Sequence, residues 1–482
     1  MSAFLAKFTV LGSAVPELWV IFASKVLAIL AYSVMNMTLV LWLSADLGYS
    51  DTEAGFLIAA WSSLMTLFTV LVGSFVDAVG LRRALLLGFA ISMLSRAIMT
   101  STTVAWLALP LGLMPLALGE ALLTPVMVAA VKRFSTARQR SMAFSVFYTA
   151  MNVGFAGAGW IFDAVRQQLG EYGNYKLPLL EATLSTYRTL FLVSVVLSGI
   201  GLIAVYLSLR DDIEVTDAGA GSGALETRPV FAYRDALPRA MRLFTGLWQQ
   251  PAFYRFLVFL TLVVGVRLIF YHMYYTFPKY GIRELGVGAP IGQLFGVLNA
   301  VMIIALVPVV GALTQGIPAY RMVSFGSLIA ALSVFFIAVP PAIFEPLATS
   351  RVGDLIVHTW LGIPGIVDPR YVGIFLFVCF LSLGEALWSP KLYEYTAAIA
   401  PQGQEASYMS LSFLPFFIAK FFVGMLSGFL LGNYCPETGP RDCETLWLLV
   451  GLMALITPLG LFALRRYLQS DEPERVGIRP AA

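Results

Sequence analysis

Apolar residues run along the chain in blocks of about the length a helix needs to cross a bilayer, roughly 20 residues, separated by short polar turns. The blocks cover roughly 17–44, 53–76, 84–103, 105–131, 141–165, 187–209, 253–278, 291–314, 320–343, 370–399, 405–432 and 445–467. The pattern predicts twelve transmembrane helices, each with room for some tilt. The longest polar interruption runs from Arg210 to Arg255. It opens with Asp211, Asp212 and Glu214, followed by a Gly/Ser-rich run, Ala218 to Ala224, too flexible to pack. The organisation read from this is an N-terminal six-helix bundle over residues 1–209, a cytoplasmic linker over 210–252, a C-terminal six-helix bundle over 253–468 and a cytoplasmic tail over 469–482. Within the linker, Leu237, Met241, Phe244 and Trp248 stand at helical spacing against Arg234, Arg239 and Arg242. That is the pattern of a helix lying on the inner membrane surface, or of an ordinary solvated loop helix.

An internal echo supports two related halves. Gly119, Glu120, Ala121, Leu122 and Pro125 recur as Gly384, Glu385, Ala386, Leu387 and Pro390, at the constant offset of 265 that separates Gly119 from Gly384. The copies fall in the fourth and tenth blocks, as parallel six-helix repeats require. The predicted fold class is therefore an all-α membrane protein of two pseudo-symmetric halves.

Composition agrees. Hydrophobic residues make up 59% of the chain and charged residues 12%, against roughly 25% charged in a soluble domain, and the mean hydropathy is +0.82. The net charge of +3 is spread along the chain, which excludes the clustered basic face of a nucleic-acid binder. Arg82, Arg83, Lys132, Arg133, Arg138, Arg140, Arg210, Arg321, Arg465 and Arg466 fall in alternate loops. Because basic loops resist translocation, these loops and both termini are expected in the cytoplasm, in a bacterial inner or plasma membrane. The first sixteen residues lack the apolar core and cleavage site of a removable signal.

The chemistry is sparse. The sequence contains no HExxH, no GxSxG and no GxxxxGK[ST], which argues against a membrane-embedded enzyme and an ATP-driven pump. No metal site or cofactor is implied. Cys435 and Cys443 flank a polar outer loop, where a disulfide is expected.

Charged residues inside spans cost roughly 2.5–3.5 kcal/mol on insertion scales, so they are functional candidates by default. They are Lys25, Arg96, Glu120, Arg267, Glu385, Lys391, Glu394 and Lys420. Glu120 can titrate or pair across the cavity. Lys25 and Arg267 can meet an anionic group, and Lys25 can instead snorkel or pair with a glutamate. Lys391 and Glu394, three apart, can satisfy one another. The seventh block carries Arg267, Tyr271, His272, Tyr274 and Tyr275, either a binding wall or an interfacial aromatic belt.

The most specific motif spans Gly73, Asp77, Gly80, Arg82 and Arg83, in the turn after the second block. It resembles the loop signature of the major facilitator superfamily, GxxxDxxGxRR in form, and the resemblance implies that fold and a gating role for these five residues. Two further regions resemble the proton-dependent oligopeptide transporter branch: Gly384 to Pro390, and Ala143 through Tyr148 to Asn152. The start of the first block resembles that branch's ExxERFxYY region at Glu17, but Val20, Ile21 and Lys25 stand where it has glutamate, arginine and tyrosine, and Thr124 where it has lysine.

The resemblance implies a secondary active transporter working by alternating access. Acidic Glu120 and Glu385 beside basic Lys25 and Arg267 suit a small zwitterionic solute, peptide or amino-acid-like. The expected substrate-binding set is Lys25, Tyr32, Asn152, Arg267, Tyr271, Glu385 and Trp388, and the expected proton-coupling set is Glu17, Glu120 and Glu385. The expected partners are a small-molecule substrate, protons and the lipid bilayer, with the protein a monomer. The alternative is transport or export of an organic anion, sugar or drug without proton coupling through the first helix.

Overall fold

Proline and capping side chains set the helix starts. Pro16 occupies the first turn of α1 (Pro16–Ala45), where its missing N–H costs nothing. Thr136 and Gln139 form a reciprocal capping box at the head of α5 (Ala137–Leu169). Ser185 accepts from the Arg188 amide at the head of α6 (Thr186–Ser208). Between them run α2 (Asp51–Val79), α3 (Leu81–Ser101) and α4 (Met114–Arg133), the last preceded by a π-helical turn at Ala108–Leu113. The second set comprises α7 (Pro251–Tyr275), α8 (Leu298–Leu313), α9 (Ala319–Ser333), α10 (Pro369–Ile399), α11 (Leu414–Tyr434) and α12 (Cys443–Ala454). A π-helical turn at Gln293–Val297 leads into α8, while α9 and α12 continue as Phe335–Ala338 and Ile456–Ala463.

This computed structural model describes residues 10–178, 182–210, 213–216, 224–227, 251–314, 317–399 and 414–468. The expected surface helix over 234–248 and the tail over 469–482 lie outside the described residues, as do the surroundings of Gly73 and the side chains of Asp77 and Glu394. Among the described residues, nine helical segments are long and apolar enough to cross a membrane: α1, α3, α4, α6 to α10 and α12, with their continuations. The other three apolar blocks are the helices α2, α5 and α11. Large apolar side chains such as Leu71, Ile203, Val301, Phe325 and Phe422 remain exposed on outer faces, as a lipid-facing surface requires.

The two sets pack in the same way. Helix α4 lies on α3 and α10 on α9, and the echoed glycines make both approaches possible. A Cβ on Gly119 would stand 2.5 Å from Ser92 Oγ, and one on Gly384 would stand 2.7 Å from the Ala330 amide. Both echoed prolines, Pro125 and Pro390, lie inside their helices. The sets meet along α2 against α11 and along α5 against the head of α8. At these seams a Cβ on Gly55 would fall 2.6 Å from the Gly424 carbonyl oxygen, and one on Gly159 would fall 2.4 Å from that of Gly292. Small residues bring the backbones together where no hydrophobic force between helices exists in lipid.

The connections depart from the sequence reading. The linker, for which no strand is expected from the sequence, contains paired antiparallel strands β3 (Ile213–Thr216) and β4 (Ala224–Thr227) on either side of the glycine run. Alternation of β-branched and polar residues in Ile213–Thr216 favours that pairing. A second hairpin, β1 (Asn174–Lys176) with β2 (Thr183–Ser185), joins α5 to α6. Short helical turns at Pro341–Phe344, Glu345–Ala348, Arg351–Asp354 and Leu355–Trp360 fill the connection from α9 to α10.

Candidate functional site

In the first half, buried charge gathers where α1, α3 and α4 meet. Lys25, buried on α1, donates to Thr124 Oγ1 at 3.4 Å and holds its ammonium 4.9 Å from the centre of the Phe147 ring. Glu120 accepts from Arg96 Nη2 at 2.5 Å and from Ser92 Oγ at 3.3 Å, while Arg96 Nη1 donates to Ser198 Oγ at 2.7 Å. Lys25 is near enough to Glu120 to feel its charge. Glu120 is paired, but with Arg96 on the neighbouring helix α3 of its own half and not across the cavity.

Tyr32 reaches toward the second half, standing near Glu120 and also near Tyr271, Tyr274 and Tyr275 of α7. Tyr274 approaches Ser33 and Tyr275 approaches Ser62. The aromatic cluster of α7 therefore faces α1 and α2 and forms an inner wall, not an interfacial belt. His272 of the same cluster is fully buried, and its ring nitrogen lies 2.7 Å from Thr276 Oγ1, which lies 2.8 Å from Ser427 Oγ of α11. It ties α7 to α11.

In the second half, Glu385 accepts from Asn299 Nδ2 at 3.1 Å, and the same amide donates to Ser382 Oγ at 3.0 Å. The Arg267 guanidinium lies 4.9 Å from the centre of the Trp388 ring and 5.5 Å from that of Phe416. Its charge acts on both Glu385 and Lys420. Lys420 Nζ lies 5.8 Å from the centre of the Tyr271 ring, which stacks on Tyr275 at 6.4 Å. Arg267, Tyr271, Glu385 and Lys420 are half-buried, whereas Trp388 is fully buried. Structure thus gathers Arg267, Tyr271, Glu385 and Trp388, with Tyr32 and Lys25 on the opposite side.

Other candidates sit apart. Glu17, in the first turn of α1, pairs with Arg210 just after α6. Asn152 donates to the Tyr148 carbonyl of its own helix at 2.9 Å. Gly80 turns the chain between α2 and α3 with φ of 89°, Arg82 Nη2 donates to the Tyr206 carbonyl at 2.8 Å, and Arg83 is exposed. Cys435 and Cys443 form a disulfide at the head of α12. Glu284 lies beside them, but sulfurs joined to each other offer no thiolate to a metal.

Sequence reasoning missed Asn299 and a set of polar contacts across the seams at the disulfide end of the bundle. Asp51, at the head of α2, accepts from Lys279 and, at 2.9 Å, from Arg283, both just after α7. Burial pushes the Lys279 ammonium below its usual range, and Asp51 beside it opposes that shift. Buried Asp163 of α5 accepts from the amides of Gly292 at 2.9 Å and Gln293 at 2.6 Å, at the opening of the turn that leads into α8. Arg166 donates to Asp163 at 3.2 Å, to Glu171 and to the Ala289 carbonyl at 3.1 Å. The signal was Asp163 and Arg166 three apart at the end of an apolar block, where charge reads as the start of a loop.

A family model described as Major Facilitator Superfamily matches residues 21–367. Among solved structures, a mutant peptide transporter POT in complex with sulfate aligns with a TM-score of 0.69 at 17% identity, covering 96% of this chain and 98% of that one. A POT family transporter in complex with 5-aminolevulinic acid gives 0.68 at 15% identity, over 94% and 96%. A bacterial homologue of the human drug peptide transporters PepT1 and PepT2 gives 0.63 at 17%, over 94% and 98%. At these identities the likeness is one of fold. No curated protein sequence matches the chain.

Proposed function

The chain belongs to the Major Facilitator Superfamily, and from that premise we propose that it is a secondary active transporter moving a small zwitterionic solute, peptide or amino-acid-like, with proton coupling. The observation that carries the reading is the half-buried Glu385, held by Asn299 and standing within the field of Arg267. A carboxylate oriented by an amide suits a substrate ammonium, and a nearby guanidinium suits the same substrate's carboxylate. The half-buried face of Tyr271 would take side chains, the buried Trp388 would support Arg267 from behind its guanidinium, and Tyr32 and Lys25 would complete the site from the first half.

In this reading the two halves rock about the cluster, the seam contacts at the disulfide end holding one conformation. Glu385 and Glu120 are the coupling candidates, since each exchanges partners if a proton or a substrate neutralises it. Glu17, tied to Arg210, would report on the linker side, and Gly73, Asp77, Gly80, Arg82 and Arg83 would latch that side. The membrane is a bacterial inner or plasma membrane with both termini cytoplasmic. Fold likeness to structures that include a complex with 5-aminolevulinic acid, itself an amino acid, supports the substrate class.

The test is a thermal-shift screen of the purified protein against di- and tripeptides, amino acids, sugars and organic anions at two pH values, because a ligand bound to the folded state raises apparent stability. A zwitterion hit that vanishes in Glu385→Gln supports the reading. Stabilisation by sugars or drugs alone would contradict it.

A further inference from the structure

Where α2 meets α11 the two halves touch backbone to backbone, since a Cβ on Gly424 would fall 2.7 Å from Ala59 Cα. Beside this contact, on the outer face of the bundle, lies a groove of about 700 Å³, within the roughly 300–1,000 Å³ of pockets that hold small molecules. Phe56 and Leu57 of α2 form one wall, and Phe422, Met425 and Phe429 of α11 form the other. Phe56, Phe422, Met425 and Phe429 are exposed, so the groove opens to the hydrocarbon around the bundle and takes an apolar occupant. Its polar edge, at Tyr49 and Glu53, lies at the head of α2, the depth at which a spanning helix reaches the lipid headgroups and tyrosine is favoured. Glu53 is exposed and closes a capping box with Ser50. Its Oε2 accepts from the Ser50 amide at 2.9 Å and hydroxyl at 2.8 Å, and its own amide donates to Ser50 Oγ at 3.3 Å. The cap thus uses one of the two carboxylate oxygens.

We propose that this groove binds an acyl chain of an ethanolamine phospholipid, with the headgroup ammonium on the Glu53 carboxylate, and that its occupation holds the two halves together at this end. The apolar walls suit the chain. The carboxylate at the edge disfavours an anionic headgroup and finds in a primary ammonium the N–H donors that a quaternary choline lacks. Because one wall belongs to each half, the chain touches both only while α2 and α11 are in contact. Separation removes one wall, and a ligand that binds one conformation better shifts the balance toward it. The binding does not depend on what the chain transports, whereas the hold on the seam rests on the reading that the halves rock.

Full-length protein is titrated with phosphatidylethanolamine, phosphatidylcholine and phosphatidylglycerol of identical chains, and the adducts are followed by native mass spectrometry. Wild type is expected to hold the ethanolamine lipid roughly two- to fivefold more tightly than the other two, the worth of a solvent-exposed ion pair. Glu53→Gln, which keeps the capping box, should bind all three alike. Met425→Trp, which fills the groove from its exposed side, should weaken all three and lose the preference. Equal retention in wild type, the mark of ordinary surrounding lipid, overturns the site, as does a preference for phosphatidylglycerol or an ethanolamine preference that survives either variant. The hold on the seam is read in nanodiscs by pulsed dipolar spectroscopy between spin labels at the exposed positions Tyr175 and Ile366. Replacing part of the phosphatidylcholine by phosphatidylethanolamine should enlarge the short-distance population in wild type and leave Glu53→Gln unmoved. A distribution that moves with Asp163→Asn, at the α5 seam, but not with lipid overturns the hold and leaves the rocking of the halves standing. One that moves with neither overturns both.

Discussion

Replacing Asp163 by asparagine removes a charge from the seam between α5 and α8 with almost no change in volume. The carboxylate accepts from two backbone amides at 2.9 and 2.6 Å and from Arg166 at 3.2 Å. An asparagine keeps one acceptor oxygen, so at least one amide faces an N–H. Losing a hydrogen bond to a charged, buried acceptor costs about 1.5–3 kcal/mol, and losing the anion at a helix start costs about 0.3–2 kcal/mol more. The sum, about 2–5 kcal/mol, shifts the ratio of closed to open seam by roughly 30- to 4,000-fold. Spin labels at the exposed positions Tyr175 and Ile366, on opposite halves near this end, read the separation by pulsed dipolar spectroscopy. The distance distribution is expected to lengthen in Asp163→Asn. An unchanged distribution in a folded variant would refute the idea that this contact holds the halves together.

Two further outcomes follow from the buried charges. Glu120→Gln leaves Arg96 buried without its anion, and breaking such a pair costs about 3–5 kcal/mol; melting in detergent should fall markedly, and Arg96→Met with Glu120→Leu should recover most of the loss. Asp46, at the end of α1, has its carboxyl pushed up by burial against the opposing Ser185 hydrogen bond at 2.5 Å. A raised folded value means that the native state binds more protons than the unfolded chain just above the ordinary carboxylate range, so this group adds stability as pH falls through that window and loses it as pH rises. Asp46→Asn should flatten that limb of the stability–pH curve, and a curve identical to wild type would contradict the assignment.

The helices were legible because spanning segments must bury their backbone polar groups internally and so announce themselves as apolar blocks. The Glu120 and Glu385 echo likewise placed α4 and α10 in equivalent positions, which the packing of Gly119 on α3 and Gly384 on α9 matches. What stayed hidden was pairing. Nothing local tells that Glu120 meets Arg96 across 24 residues, that Glu385 meets Asn299 across 86, or that Asp51 meets Lys279 across 228. Those contacts depend on which helix faces are brought together. The hairpins were missed because a period of two over four residues carries little weight beside long apolar runs.

Uptake by the purified protein in liposomes, with an inward proton gradient imposed and released by a protonophore, addresses the central claim most directly. Radiolabelled dipeptide, or the best thermal-shift ligand, is expected to accumulate above its external concentration, to dissipate with the protonophore and to fail in Glu385→Gln. Accumulation indifferent to the gradient, or full activity in Glu385→Gln, would contradict the account.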